Sequence, residues 1–65
     1  MSYIKDAFQI NDRVYITADH LIRKGHKGTI SRWVNNNVYV VHFDDGVIGV
    51  IKDNEMQNIT GREDD

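Results

Sequence analysis

The chain has no cysteine and no proline among its 65 residues. Without thiols it can form neither a disulfide nor a thiolate metal site, so no cross-link of that kind holds the fold together. No apolar run approaches the ~20 residues that a membrane helix requires, and the first residues lack the apolar stretch of a signal peptide. The lack of either kind of apolar segment predicts a cytoplasmic protein that has no membrane partner, whereas the lack of cysteine says little about the compartment.

An excess of charge of one sign is also missing from the body of the chain. The net charge of −2 comes from residues 62–65, which contain three acidic residues and one basic residue. Positive charge is nevertheless concentrated locally, because no acidic residue occurs between His20 and Phe43. This distribution argues against an indiscriminate nucleic-acid binder but leaves open a local basic surface.

The length favours a single domain, since domains begin at about 50 residues. We expect residues 1–9 to form an N-terminal extension, residues 10–60 the folded domain and residues 61–65 an acidic, disordered tail. A domain of this size buries only about 60% of the surface of its unfolded chain, so we expect marginal stability.

Runs of β-branched and aromatic residues separated by turn signals favour short strands. The predicted strands span residues 13–17, 29–34, 38–43, 47–52 and 57–60. Asn35–Asn37 and Asp44–Gly46 are typical of hairpin turns. Gly25 and Gly28 bracket a predicted tight turn, and Asp53 is predicted to cap a single helical turn. Several short, half-buried strands at this spacing predict a closed barrel.

Alternation within the predicted strands separates an inner face from an outer face. The residues predicted to point inward are Val14, Ile16, Ile30, Tyr39, Val41 and Phe43. On the third strand, Val38, Val40 and His42 share the opposite, outer face. Tyr15 is likewise predicted to face away from the core.

Four segments resemble KOW-type SH3-like domains. Asp12–Ile16, followed after a loop by Lys27–Ile30, resembles their opening pattern, "D-x-V-x-V … K-G-x-V". Tyr39–Gly46 and Ile51–Met56 resemble the closing pattern "Y-x-V-x-F-D-D-G … D-E-L", which KOW domains share with Tudor domains and the small barrel subunit of photosystem I.

The resemblance covers residues 10–60 and implies an all-β fold. This is a small SH3-like barrel of about five short antiparallel strands, with a single helical turn before the last strand. In it, Gly28 and Gly46 would make turns and Met56 would plug one end. KOW domains commonly bind RNA or the transcription and translation machinery, Tudor domains bind methylated side chains, and the photosystem subunit docks other proteins. The fold does not choose among these partners.

Catalytic and metal chemistry are not favoured by the residues present. No serine lies in a nucleophile motif, and Asp44 and Asp45, adjacent in a turn, need not converge on one substrate as an acid–base pair must. A domain this small is also not expected to hold a deep cleft. His20, His26 and His42 lack a close-spaced ligand pair and are interpreted as solvated side chains. We therefore expect no enzyme, no metal and no cofactor.

The basic section of the chain contains a candidate nucleic-acid site. Its cations and aromatic side chains are Arg23, Lys24, Lys27, Arg32, Trp33 and Tyr15. Aromatic faces among cations suit single-stranded RNA or DNA, because bases stack on the rings while phosphates pair with lysine or arginine. The alternative is a solvated loop, with Trp33 covering the open end of the barrel.

An aromatic cage for a methylated ammonium group is a weaker candidate. Tyr15, Trp33, Tyr39 and Phe43 are numerous enough to form one. Strand alternation, however, sends Tyr39 and Phe43 inward, where they would serve as core.

The outer face of the third strand offers a candidate protein-docking site. Val38 and Val40 lie there, with Val47 and Gly49 a predicted flank across the Asp-Gly hairpin. The fourth strand is expected to leave an edge able to pair with a partner strand or with a second copy of the chain.

The leading prediction from the sequence is a non-catalytic binding module, a small adaptor or regulator that docks on a protein or nucleoprotein partner. By analogy, stand-alone barrels are often accessory subunits or phage-type regulators. The alternative is direct binding of RNA or single-stranded DNA through the basic loop and Trp33.

Overall fold

The computed structural model describes residues 8–61 and consists of five antiparallel strands in one sheet. The strands are β1 Arg13–Ile16, β2 Lys27–Asn35, β3 Val38–Phe43, β4 Ile48–Lys52 and β5 Met56–Asn58, with a 3₁₀ turn at Asp53–Glu55. The predicted all-β fold is confirmed, including the helical turn before the last strand. Most of the predicted N-terminal extension (residues 1–7) and of the predicted acidic tail (residues 62–65) lies outside the described residues. Residues 8–61 contain no helix that is long and apolar enough to cross a membrane.

The sheet is curled rather than flat. Its strand order is β4-β3-β2-β1-β5, so β4 and β5 are its two edges. In a flat sheet these edges would lie about 19 Å apart, at four spacings of about 4.8 Å. The chain crosses from Lys52 to Met56 with only the three residues of the 3₁₀ turn between them, a path of at most about 14 Å. The sheet must therefore bend to bring its edges together, as a small barrel does.

The core fills the concave side of this curled sheet. Its buried residues are Val14, Ile16, Ile30, Tyr39, Val41, Phe43, Ile51 and Met56. All six positions predicted to point inward are among them. Phe8 and Leu21 pack against the same cluster, and the Phe8 ring meets Tyr39 edge-on at 5.5 Å between centroids.

Gly28 does not make a turn, contrary to the sequence-based expectation. It lies inside β2, buried and directly opposite Phe43. A Cβ atom there would approach Val41 Cγ1 to 2.6 Å and the carbonyl oxygen of His42 to 2.8 Å. The glycine is needed because atoms of the neighbouring strand β3 occupy the space that a Cβ would take. Gly25, with φ of +91°, is the turn residue before β2.

The turns on either side of β4 fix where that strand begins and ends. The turn at Asp44–Gly46 closes with hydrogen bonds from Phe43 N to Val47 O and from Gly46 N to Phe43 O, both 2.8–2.9 Å, and Gly46 has φ of +95°. This is a three-residue hairpin loop with a left-handed third position. At the other end, the predicted cap by Asp53 is wrong: the Glu55 carboxylate accepts the backbone N–H of Lys52 at 2.9 Å instead.

Candidate functional site

The outward-facing side chains of β3 and β4 form an apolar surface. The ladder places Val40 opposite Val50, with Val38 and Ile48 in the neighbouring outward positions. Val38 and Val40 are half-buried, whereas Ile48 and Val50 are 60% and 63% exposed. We call these four side chains (Val38, Val40, Ile48 and Val50) the outer patch. Large aliphatic side chains that stay exposed together on a sheet face are typical of an interaction surface.

The predicted flank of this patch is replaced by other residues. Gly49 is paired with Val41 and faces the core, where an added Cβ would approach the Phe43 ring to 3.0 Å. Val47 precedes β4, lies opposite Phe43 and is 42% exposed. The residues that the register brings beside Val38 and Val40 are instead Ile48 and Val50. Period-two alternation of Ile48, Val50 and Lys52 was the sequence signal that could have identified them.

Two of the candidate cations are already paired with carboxylates. Arg23 donates to Asp45 at 2.8 Å, and its guanidinium carbon lies 4.9 Å from the centroid of the Phe43 ring. Lys24 forms an ion pair with Asp19. Both cations are thus engaged within the protein, and phosphates would have to compete with these carboxylates for them.

Arg32 and Trp33 lie on opposite faces of the sheet, although they are adjacent in sequence. Simple alternation from Ile30 would send Trp33 outward. The β2–β3 register shifts at Ser31, so that Arg32 pairs with Val40 on the outer face and Trp33 pairs with Tyr39 on the core side. A β-bulge of this kind re-aims every side chain that follows it. The structure therefore does not bring Trp33 and Arg32 together.

Tyr15 and Lys27 are a second aromatic–cation pair, on the outer face of β1 and β2. They are directly paired in the ladder, and Tyr15 in turn pairs with Gln57 of β5. Tyr15 is 37% exposed and Lys27 is half-buried. This pair is separated from Trp33 by most of the length of β2.

The Asp44 and Asp45 carboxylates each hold a different arginine. Asp44 accepts two hydrogen bonds from Arg13, both 2.8 Å, and Asp45 accepts one from Arg23. The hydrogen bond from Arg13 lowers the pKa of Asp44 below its ordinary value, and the one from Arg23 does the same for the pKa of Asp45. Both carboxylates are therefore ionised near neutral pH and act as anchors of the turn.

Other chemistry finds little support among the described residues. No group of three or more His, Asp or Glu side chains in residues 8–61 could hold a metal ion. An open groove of about 540 Å³ runs between Phe8, Thr17 and the 3₁₀ turn. The sequence had not indicated this groove. His20 contacts the 3₁₀ turn, since its Nε2 lies 2.8 Å from Glu55 Oε2.

The chain matches no protein-family model, no curated protein and no solved structure. What its surface can do is therefore inferred from its own geometry.

Proposed function

We propose that this chain is a non-catalytic binding module of the cytoplasm, a small adaptor or regulator that docks on a protein or nucleoprotein partner. The outer patch is the docking surface. The observation that carries the proposal is the exposure of Ile48 and Val50, 60% and 63%, beside Val38 and Val40 on one sheet face.

Burial of this surface supplies a driving force for binding. Taking a valine or isoleucine side chain fully out of water contributes about 1.5–3 kcal/mol, and more than half of Ile48 and of Val50 is still available for that. These side chains project from a paired sheet, so little conformational entropy is lost when a partner covers them.

The charge around the outer patch favours a partner with acidic groups. Arg32, next to Val40, forms no ion pair among residues 8–61, and neither does Lys52 at the end of β4. No described outward position of β2, β3 or β4 carries a carboxylate. Carboxylates on a protein, or phosphates in a nucleoprotein, would complement this rim.

Direct binding of RNA or single-stranded DNA is the second candidate, and the exposure of Trp33 favours it. Trp33 is 61% exposed at the end of the β2–β3 hairpin, where a base could stack on it. Against this, Arg23 and Lys24 are held by Asp45 and Asp19, and Arg32 lies on the other face.

A pair of variants separates the two candidates. Val38→Ser with Val40→Ser removes apolar surface from the outer patch and leaves the basic loop intact. Lys24→Ala with Lys27→Ala removes two cations of the candidate nucleic-acid site and leaves the outer patch intact. Circular dichroism would first establish that both double variants retain the β fold. If the proposal is correct, a protein captured by the immobilised wild type is lost with the valine variant and retained with the lysine variant.

A titration of Trp33 fluorescence with short single-stranded RNA and DNA tests the alternative directly. Saturable quenching that weakens steeply with salt and disappears in Lys24→Ala/Lys27→Ala would place the function on nucleic acid instead. Equal capture of the partner by the wild type and the valine variant would contradict docking through the outer patch.

A further inference from the structure

The open edge of β4 has a specific pattern of free backbone groups. Hydrogen-bonded and non-hydrogen-bonded pairs alternate along an antiparallel ladder. Phe43 N donates to Val47 O and Asp53 N donates to Asn37 O, both at 2.8 Å, so both pairs belong to the hydrogen-bonded set. Ile48 and Val50 fall between members of this set, opposite His42 and Val40. Their N–H and C=O groups therefore point away from β3, toward the edge of β4 that no strand within residues 8–61 pairs.

At the Lys52 end of β4, a hydrogen bond within the chain limits the length of the free edge. Lys52 is the next residue with the same orientation, but its N–H is already bound by the Glu55 carboxylate at 2.9 Å. Within residues 8–61, the open backbone groups of β4 are thus the two N–H and two C=O groups of Ile48 and Val50. The side chains of these two residues are also the most exposed members of the outer patch.

We propose that two copies of this chain associate through antiparallel pairing of their β4 strands, with Gly49 of each copy on the two-fold axis. In this register Ile48 of each copy lies opposite Val50 of the other copy, which gives two such pairs. The four hydrogen bonds that result use every open backbone group of both residues in both copies. A register centred on Val50 is inferior, because it requires the Lys52 N–H that Glu55 already occupies.

The side chains fit the same register. The two apolar pairs between Ile48 and Val50 lie on the outer face, and cross-strand pairs of this kind stabilise a sheet. Two residues further on, Lys52 of one copy faces Gly46 of the other, beside the ionised Asp45 and Asp44 of the hairpin turn. A cation therefore faces the acidic turn at both ends of the contact, where Arg13 and Arg23 already bind the two carboxylates.

Pairing between the β4 strands stops at two copies of the chain. A contact made by the same strand in both copies has two-fold symmetry and ends at the dimer, because each β4 edge is then used. It also joins the two outer patches into one continuous apolar surface on a single face of a ten-stranded sheet. The dimer does not depend on the proposed docking function, since it forms from the chain alone.

The contact is small, so the association is weak and depends on protein concentration. Sedimentation equilibrium on the purified full chain, across a wide concentration range, is expected to show a reversible transition from one chain to two. Amide hydrogen exchange followed by NMR is expected to show protection of the Ile48 and Val50 amides that rises with concentration. The Lys52 amide, held by Glu55 within one copy, should show no such change.

Val50→Pro removes one of the two open N–H groups of each copy and leaves the β3 ladder intact. Proline is tolerated where the lost N–H faces outward from an edge strand, and Gly49 before it has no Cβ to clash with the ring. The dissociation constant is expected to rise at least about tenfold, since each copy loses one hydrogen bond to the other.

Val50→Lys is the second variant, with Val40→Lys as its matched control on the same face. Lysine at an edge opposes strand pairing, so Val50→Lys is expected to be monomeric and Val40→Lys to remain dimeric. A chain that stays monomeric at all concentrations, or a dimer that survives both Val50 variants, would overturn the proposal. So would assemblies larger than a dimer. Because no other protein is present, these results are independent of whether the outer patch docks a partner.

Discussion

Trp33 lies directly opposite Tyr39 in the β2–β3 ladder, yet Trp33 is 61% exposed and Tyr39 only 6%. The two rings share the core side of the sheet. Tyr39 is covered by Phe8 and by its neighbours in the core, whereas Trp33 sits nearer the hairpin turn at Asn36–Asn37 and lines an open depression with it. The β2–β3 hairpin thus extends beyond the core that it helps to form.

This difference predicts unequal effects of truncation. Tyr39→Ala is expected to lower the free energy of unfolding by about 3–5 kcal/mol, because it removes a buried aromatic ring. Trp33→Ala is expected to change it by about 0.5 kcal/mol or less, as for most exposed positions. Urea denaturation followed by far-UV circular dichroism measures both. Similar losses in the two variants would mean that Trp33 is covered in solution.

Gly28→Ala is expected to destabilise the fold by about 1–3 kcal/mol, because the new methyl group has no space between β2 and β3. Two of the atoms that it would meet are the Val41 side chain at 2.6 Å and the His42 carbonyl at 2.8 Å, and the backbone group cannot rotate away. Gly49→Ala is the matched control, since its closest contact is the Phe43 ring at 3.0 Å, a side chain that can shift. The urea midpoint should fall further for Gly28→Ala than for Gly49→Ala.

Gly46→Ala tests backbone conformation rather than space. Nothing lies within 4 Å of an added Cβ at Gly46, but φ of +95° is strained for any residue with a side chain. A loss of about 1–2 kcal/mol is expected in the free energy of unfolding. Gly46→Asn should cost less, because asparagine tolerates positive φ. If alanine and asparagine were equally tolerated, the turn would not require a left-handed residue.

Acid is expected to weaken the fold through the carboxylates of the β3–β4 turn. The pKa of Asp44 and that of Asp45 are lowered in the folded chain, chiefly by hydrogen bonds from Arg13 and Arg23. A carboxyl group with a lowered folded pKa stabilises the fold above its ordinary pKa of about 4, and this contribution is lost as the pH falls through the lower, folded value.

The urea midpoint should therefore decrease below about pH 4, and it should decrease less steeply in Asp44→Asn. Asp53→Asn, which removes a carboxylate from the edge of the sheet without touching either arginine, is the control. An acid-induced decrease that is identical in the wild type and in Asp44→Asn would show that this ion pair does not contribute.

The strands and the core could be predicted from local pattern alone. Alternation of apolar residues identified Val14, Ile16, Ile30 and the inner residues of β3, since a period of two along a strand maps directly onto its two faces. The Asp-Gly signal located the β3–β4 turn at Gly46 for the same local reason.

The candidate site could be predicted only in part. Val38 and Val40 were identified on the outer face, but Ile48 and Val50 complete the patch because the ladder register sets them beside those valines. The sequence also did not indicate that Arg23 pairs with Asp45 and Lys24 with Asp19. Ion pairing between residues far apart in sequence, such as Arg23 with Asp45, depends on how two turns meet in space.

By itself, then, the sequence determined the class of fold, the positions of the two hairpin turns and which face of most strands is buried. Each of these follows from interactions between residues close together along the chain. Only the tertiary structure decided which side of β2 Trp33 occupies and that Gly28 lies against the backbone of β3. It also decided that the outward-pointing backbone groups of the β4 edge are those of Ile48 and Val50. The physical reason is that a bulge at Ser31 and the pairing register are set by contacts between strands, which no local period encodes.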